Sequence, residues 1–318
     1  MLRTLFKTAA LGLAIAAALP AAAQSDFPKS PVTLIVPFGP GGTSDIMARL
    51  LQQPQAEALG ATVVVENRGG AGGAIGMNAL SRAKPDGYTI GLSVIGPEIL
   101  QPSMRNTGYG PDDFDHLCGT YDVPLMMMVK PDSPYQSLAD VMKDAKSQPG
   151  KLTYASSGAG TVLHLAMTML LAANQAEGLH VPYKNSSEMV TALMGGQVAV
   201  FNDTPTIATQ YGLRGIAVYD DKRMATSPDV PTAAEAGFPI KASVWGGLIA
   251  PRGLPDAVRA KLEAACKTAT HTEAYQRRAK ELNTPLAYRD GQQYGQFVRE
   301  EMQRYSKLIK ETGLATQQ

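Results

Sequence analysis

The residues best placed for chemistry lie in two short turns that repeat one arrangement. The first, in VTLIVPFGPGGTSDIMARLL (32–51), follows a β-branched run with Phe38, Gly39, Pro40, Gly41 and Gly42, then Thr43, Ser44 and Asp45. The second, in KLTYASSGAGTVLHLAMTML (151–170), follows a strand-like run with Ala155, Ser156, Ser157, Gly158 and Gly160, then Thr161. Each pattern predicts a strand feeding a glycine turn that exposes backbone N–H groups at a helix N-terminus. Such a terminus carries about half a positive charge and unsatisfied donors, so it attracts anions. Glycine admits a ligand that a Cβ would hold off. In the first turn the amides of Gly41, Gly42 and Thr43 would form an anion nest, with the Thr43 or Ser44 hydroxyl as a further donor. In the second, Ser156, Ser157 and Thr161 offer hydroxyls, while Gly158 and Gly160 open the backbone. The competing reading is local: a tight turn in which Ser44 or Asp45 caps its own helix. Two such turns, one in each half of the chain, point to two lobes closing on the ends of one small anion.

Catalysis has less to draw on. The four histidines, His116, His164, His180 and His271, lack metal-ligand spacing, and no cysteine pair clips a metal, so neither metal nor cofactor is expected. Ser157 in SSGAG is not a G-x-S-x-G elbow. His164 lies on the helix face of Thr161 and suits either a base or, more simply, a hydrogen-bonded packing residue. Asp203, between Asn202 and Thr204 in VFNDTP (200–205), ends a strand. Either it accepts from a ligand hydroxyl, amide or ammonium, or it makes an Asx-turn into Thr204-Pro205. A third glycine cluster, NRGGAGGAIGMNAL (67–80), imitates a dinucleotide fingerprint without its order or its acidic residue, and reads as a structural turn. Trp245 suits core or cleft equally.

The elements that must position these turns alternate. Strand-like runs at 32–38, 62–67, 87–94, 124–130, 151–156, 197–203, 214–220 and 244–251 are separated by helical stretches at 44–59, 74–83, 137–147, 162–173, 186–194 and 256–268, with a longer one at 290–311. This order predicts an α/β protein built from βαβ units with mainly parallel sheets flanked by helices. Pro54 is expected to kink or shorten the first helix. The passage 111–124 breaks the alternation before a methionine-rich strand, and the proline-studded 221–239 precedes VWGGLIAP. These breaks divide the chain into one lobe from 24–123 and 243–318, and an inserted lobe at 124–242. The segment DVPTAAEAGFP reads as a turn with a short helix.

Residues 1–23 carry Arg3 and Lys7, an apolar run from Ala9 to Leu19, and Ala21-Ala22-Ala23. That is the pattern of a secretory signal cleaved after Ala23, with the mature chain beginning at Gln24. The apolar run is shorter than the roughly 20 residues that span a bilayer. The formal charge of +1 turns to −1 without Arg3 and Lys7. No basic run survives to hold nucleic acid or an anionic membrane surface. Cys118 and Cys266 leave a disulfide and two buried free thiols both open, their spacing giving the disulfide no support.

Taken in order, P-V-T-L-I-V-P-F-G-P-G-G-T-S-D (31–45), V-V-V-E-N-R-G-G-A-G-G (63–73), P-D-G-Y-T (85–89), P-G-K-L-T-Y-A-S (149–156), H-V-P-Y-K (180–184), G-G-Q-V (195–198) and P-D-V-P-T-A-A-E-A-G (228–237) cover essentially the whole mature chain. The chain resembles the periplasmic solute receptors of the tripartite tricarboxylate transporter system, the Bug or TctC-like proteins. The resemblance implies a two-lobed periplasmic-binding-protein (Venus flytrap) fold that binds a small organic mono- or dicarboxylate without catalysis or cofactor. A monomer is expected, partnered by the membrane subunits of such a transporter or by a sensor. It points to Phe38, Gly41, Gly42, Thr43, Ala155, Ser156, Gly158, Thr161 and Asp203 as ligand residues, with Ser44, Ser157, Gly160, His164, Asn202 and Thr204 behind them. The chain departs from the family where Asn185 replaces the usual glycine after H-V-P-Y-K, and in shortened loops after G-G-Q-V and before R-G-I-A-V. The alternative from another class is a secreted enzyme acting on a small acid through His164 with Ser157 or Asp203.

Overall fold

Two sheets, each built around a parallel trio, organise the chain in a computed structural model that describes residues 27–312. The expected signal segment, 1–23, lies outside the described residues. The strands are β1 (Val32–Val36), β2 (Val63–Asn67), β3 (Thr89–Val94), β4 (Phe114–Pro124), β5 (Met126–Val129), β6 (Leu152–Ser156), β7 (Gly178–Pro182), β8 (Val200–Asp203), β9 (Arg214–Val218), β10 (Ser243–Pro251) and β11 (Leu286–Asp290). The helices are α1 (Thr43–Leu59), α2 (Ala74–Ser81), α3 (Gln101–Met104), α4 (Leu138–Ser147), α5 (Val162–Ala173), α6 (Ser186–Met194), α7 (Pro205–Tyr211), α8 (Asp256–Thr270), α9 (Glu273–Glu281) and α10 (Gly291–Thr312).

The first sheet has the order β11-β4-β10-β3-β1-β2 and the second β7-β6-β8-β5-β9. In the first, β1 pairs in parallel with β2 and β3; in the second, β6 pairs in parallel with β7 and β8. Both trios therefore have the same connectivity, with a βα turn leaving the central strand at its C-terminal end, where ligands bind in open α/β sheets. The expected α/β fold with two flanked sheets holds, but the sheets are mixed rather than mainly parallel. β10 runs antiparallel to β3 and β4, and β5 runs antiparallel to β8 and β9. The reason is connectivity: β5 and β10 begin where the chain passes from one sheet to the other, so each enters its new sheet against the direction of the trio.

All the expected strands form, and three more appear. β7 and β11 are edge strands with no fully buried residue, so no buried apolar face marks them as strands. The 111–124 passage, expected to break the pattern, forms β4. Its Asp115, His116 and Asp122 pair with Arg259, Glu98 and Arg289 from neighbouring elements. Helix α1 runs through Pro54 to a left-handed Gly60 cap; the carbonyl of part-exposed Leu50, which loses its donor, can take water. DVPTAAEAGFP forms turns fixed by Thr232 and Glu235, without a helix. Trp245 is core, its indole N–H donating to Glu301 at 3.1 Å. Cys118 on β4 and Cys266 on α8 are joined in a disulfide. The pairing had no signal in the sequence because it depends on α8 packing across β4, 148 residues away.

Candidate functional site

A cavity of about 40 Å³ lies between the two sheets. It has room for about three or four water-sized groups on the measure that allots one water about 10–15 Å³. From the first sheet come Phe38, Gly42, Thr43 and Ser44 of the β1–α1 turn, Val94, Ile95 and Gly96 after β3, and Val244. From the second come Ser157, Thr161, Val162 and Leu163 of the β6–α5 turn, Asn185 and Ser186 at the start of α6, and Asp203 at the end of β8.

The local sequence explains why both helices present free ends here. The N-cap of α1 is Gly42, in an extended conformation and without a side chain to cap the helix. The N-cap of α5 is Thr161, and it too makes no side-chain cap bond; its hydroxyl donates instead to the Gly158 carbonyl at 2.8 Å. Both helices thus leave their first-turn N–H groups uncapped, the condition that favours an anion. Asp45, a candidate cap, turns away. Its carboxylate takes the Gly41 N–H at 2.9 Å, Arg49 at 2.9 Å and Asn67 at 3.0 Å. Burial alone would raise the Asp45 pKa, but these hydrogen bonds outweigh it and hold the carboxyl below its ordinary range.

Gly41 therefore departs from the expected nest. Its N–H is taken by Asp45, its carbonyl accepts from the Tyr211 hydroxyl at 2.9 Å, and it faces an outer groove. Thr43 does enter the site, tying α1 to the second sheet. Its hydroxyl donates to Asp203 Oδ1 at 3.0 Å and lies 2.7 Å from the Thr204 hydroxyl. The Thr204 N–H reaches the same Oδ1 at 2.7 Å, and the Ser186 hydroxyl acts on the same carboxylate. Burial pushes the Asp203 pKa up to about 6, against the opposing pull of Ser186, the Thr204 amide and Thr43.

The second turn is braced from behind. Ser156 is buried, its hydroxyl 2.7 Å from His180 Nε2 and 3.2 Å from the Gly158 N–H that it accepts. The His180 ring lies tilted against His164 at 4.2 Å between ring centres, and His164 Nδ1 accepts from Gly160 N–H at 3.4 Å. Burial lowers both imidazole pKa values, that of His180 to about 4 with His164 adding to the effect. Both rings are neutral at neutral pH, and His164 is absent from the cavity wall.

Of the residues anticipated, Phe38, Gly42, Thr43, Ser44, Ser157, Thr161 and Asp203 meet at the cavity. Ala155 is instead an interior sheet residue between Val181 and Phe201, and Ser156 and Thr204 stand behind the wall. Asn202 alternates to the other face of β8, where it accepts from the Tyr219 hydroxyl at 2.9 Å. Gly158 borders an adjoining pocket of about 390 Å³ with Gly70, Gly72 and Gly73. The third glycine cluster thus lies against the second turn, and Gly160 packs against Gln101. Missing from the sequence reading of the site were Val94, Ile95, Gly96, Val162, Leu163, Asn185, Ser186 and Val244. Ser186 opens a third βα turn, hidden because its strand β7 went unrecognised. Among the described residues no cluster of His, Cys, Asp and Glu could hold a metal.

Two mixed sheets exchanging the chain twice, with helix starts from each facing a common cavity, define a two-lobed solute-binding protein. The chain belongs to the tripartite tricarboxylate transporter family of receptors, whose sequence pattern matches residues 47–314. It is 36% identical over 316 residues to a protein of Cupriavidus necator named for the gbd 5' region, covering 98% of this chain and 95% of that one. Its fold is similar to periplasmic binding protein BugD, with TM-score 0.86 and 33% identity over 91% of this chain and 99% of that one. It is also similar to MatC of Rhodopseudomonas palustris with bound malate, with TM-score 0.83 and 29% identity over 89% and 100% of the two chains. The family and these neighbours are solute-binding proteins, which sets aside the enzyme alternative.

Proposed function

We propose that the protein is an exported periplasmic receptor whose two lobes close on a small organic mono- or dicarboxylate. It would deliver the acid to the membrane subunits of a tripartite tricarboxylate-type transporter, or report it to a sensor. The observation that carries this reading is the meeting of two uncapped helix starts, one from each sheet, at a single buried cavity. A carboxylate there gains about 1.5–3 kcal/mol per charge-assisted hydrogen bond and about 0.3–1 kcal/mol from each helix terminus. Gly42, Thr43, Ser44, Ser157, Thr161 and Asp203 contact the ligand, and Ser156, Gly158 and His164 shape the second turn. The MatC–malate neighbour supports the carboxylate class.

The lobes of this reading are 24–123 with 243–318, and 124–242. Supporting that division, the two crossings run side by side: Leu125 bonds Ala242 at 2.8 Å and Tyr219 at 2.8 Å, while Ala242 bonds Tyr219 at 3.1 Å. Paired crossings make a hinge. Export is supported by the Cys118–Cys266 disulfide, a bond of oxidising compartments.

Mass spectrometry of natively purified protein should identify a bound carboxylate. Titration of stripped protein with that acid should return it unchanged and reduce the radius of gyration in small-angle scattering. A chemically altered acid, or an unchanged radius at saturation, would overturn the reading. N-terminal sequencing of periplasmic protein should begin at Gln24, and an intact Met1 in the cytoplasm would refute export.

A further inference from the structure

One side chain gives the third glycine cluster a task. Gln101 opens α3, directly after the turn Gly96–Leu100 whose first residue lines the cavity. It is 1% exposed, and its Nε2 donates to the Ala159 carbonyl of the second turn at 2.8 Å. A carbonyl oxygen only accepts, so the group facing it is the Nε2 end of the carboxamide. Among the described residues this is the one hydrogen bond that joins the Gly158–Gly160 turn to elements of the first sheet.

Two glycines make room for that reach. A Cβ on Gly72 would lie 2.5 Å from Gln101 Nε2, and one on Gly160 would lie 2.8 Å from the same atom. Gly72, with φ of +63°, belongs to the cluster after β2, and Gly160, with φ of +73°, to the turn after β6. The carboxamide therefore threads between a bare stretch of backbone from each sheet. Its base is fixed on the side of the first sheet. Ser103 of α3 donates to the Ile99 carbonyl at 2.7 Å and lies 3.3 Å from the Ser306 hydroxyl of α10, while Arg105 donates to the Ala71 carbonyl at 2.8 Å. At the far end, the 159–160 peptide is held through its N–H as well, which donates to His164 Nδ1 at 3.4 Å. One peptide unit is thus gripped from both sides of the cleft. Gln101 lines neither the cavity nor the adjoining pocket, so it reaches a ligand only through the turn.

We propose that Gln101 is an interlobe latch: a positioning residue that holds the Gly158–Gly160 turn against the first lobe in the closed protein and so sets how slowly ligand leaves. The proposal rests on the two-lobe carboxylate-receptor reading above. A bond between lobes that does not touch the ligand forms only on closure, so it favours the closed state equally whichever acid is bound. It acts on dissociation rather than on encounter or on the choice of ligand.

The test is stopped-flow kinetics on stripped protein with malate, succinate and adipate as probes. Unfolding midpoints are measured without ligand, and small-angle scattering with it. Gln101→Met keeps the length of the side chain without its donor, and Gln101→Glu keeps its shape while replacing the donor with an acceptor. Gln101→Met should raise the dissociation rate about fivefold for every probe that binds, with the association rate within about twofold of wild type. Its ligand-free unfolding midpoint should not move, because the open protein does not hold the bond. Gln101→Glu should raise the dissociation rate further. An unchanged dissociation rate in either folded variant, a rise that reorders the acids, or a matching loss of ligand-free stability would overturn the latch while leaving the carboxylate receptor intact. Wild-type protein that binds none of the probes, or binds them without a fall in the radius of gyration, would overturn the receptor reading and the latch with it.

Discussion

The two glycine turns reach the same cavity with opposite kinds of support. The first is held by charge: Asp45 gathers Gly41, Arg49 and Asn67 around an ionised carboxylate at the back of the turn. The second is held by two neutral imidazole rings in contact: His180 bonds Ser156, and His164 takes the Gly160 amide. Two routes to one backbone geometry teach that the shared feature is the uncapped helix start, while the bracing side chains are free to differ. Their chemistry makes the turns separable by experiment, since histidine and carboxylate supports respond to different conditions.

The largest expected effect comes from closing the gap between the lobes at the second turn. Gly158 has φ of +117°, and a Cβ there would lie 3.3 Å from the Gly72 Cα. Gly158→Val should therefore weaken carboxylate binding at least about a hundredfold, or about 2.7 kcal/mol. Gly42 carries no such strain, and its Cβ would meet the Ser186 hydroxyl at 3.0 Å, so Gly42→Ala should cost about tenfold. Calorimetry on variants whose unfolding midpoints are known checks both; near wild-type affinity in each would make the turns merely structural.

On stability rather than affinity, the largest effect should come from the carboxylate shared between the two sheets. The Asp203 pKa is raised from 3.8 to about 6 by burial, so the folded state holds the extra proton. Stability contributed by the protonated form is complete below pH 3.8 and is lost as pH rises through about 6. Asp203→Asn should raise stability at pH 7.5 by about 2 kcal/mol and leave it flat across that window, as read by denaturant titration. No gain at pH 7.5 would mean that the Asp203 carboxylate is solvated.

His180 should show the reverse slope. Its pKa is lowered from 6.5 to about 4, so the unfolded chain takes up protons first. The stability linked to this group is complete above 6.5 and is lost as pH falls towards 4. His180→Gln should remove about 1 kcal/mol of that acid-side loss, a figure discounted for solvent screening. Parallel pH profiles for wild type and variant would break the contrast between the turns. The smallest effect should be Thr161→Val, which removes a turn hydroxyl at nearly constant volume. A twofold to threefold loss of affinity, about 0.5 kcal/mol, is expected by calorimetry.

The legible part of the fold was everything carried by local pattern. β-branched runs, glycine turns and amphipathic stretches placed the eight expected strands and the helices around them, because such signals are written within a few residues. Edge strands β7 and β11 escaped, since they bury too little to need an apolar face, and β4 escaped because its polar residues find partners from distant elements. At the cavity, Gly42, Thr43, Ser44, Ser157 and Thr161 were legible for the same local reason, Asp203 was one of two open local readings, and Phe38 came only through the family resemblance.

The sequence by itself determined that two strands would feed glycine turns opening helices, since glycine spacing and apolar periodicity are local signals. Only the tertiary structure decided which donors reach the cavity. It spent the Gly41 amide on Asp45, sent Asn202 to the core and Asp203 to the cleft, and put Ser156 behind its turn. It also joined Cys118 to Cys266 and set Asn185 over Gly39. These outcomes rest on meetings between residues far apart in sequence, where packing and burial choose among partners that local spacing leaves equivalent.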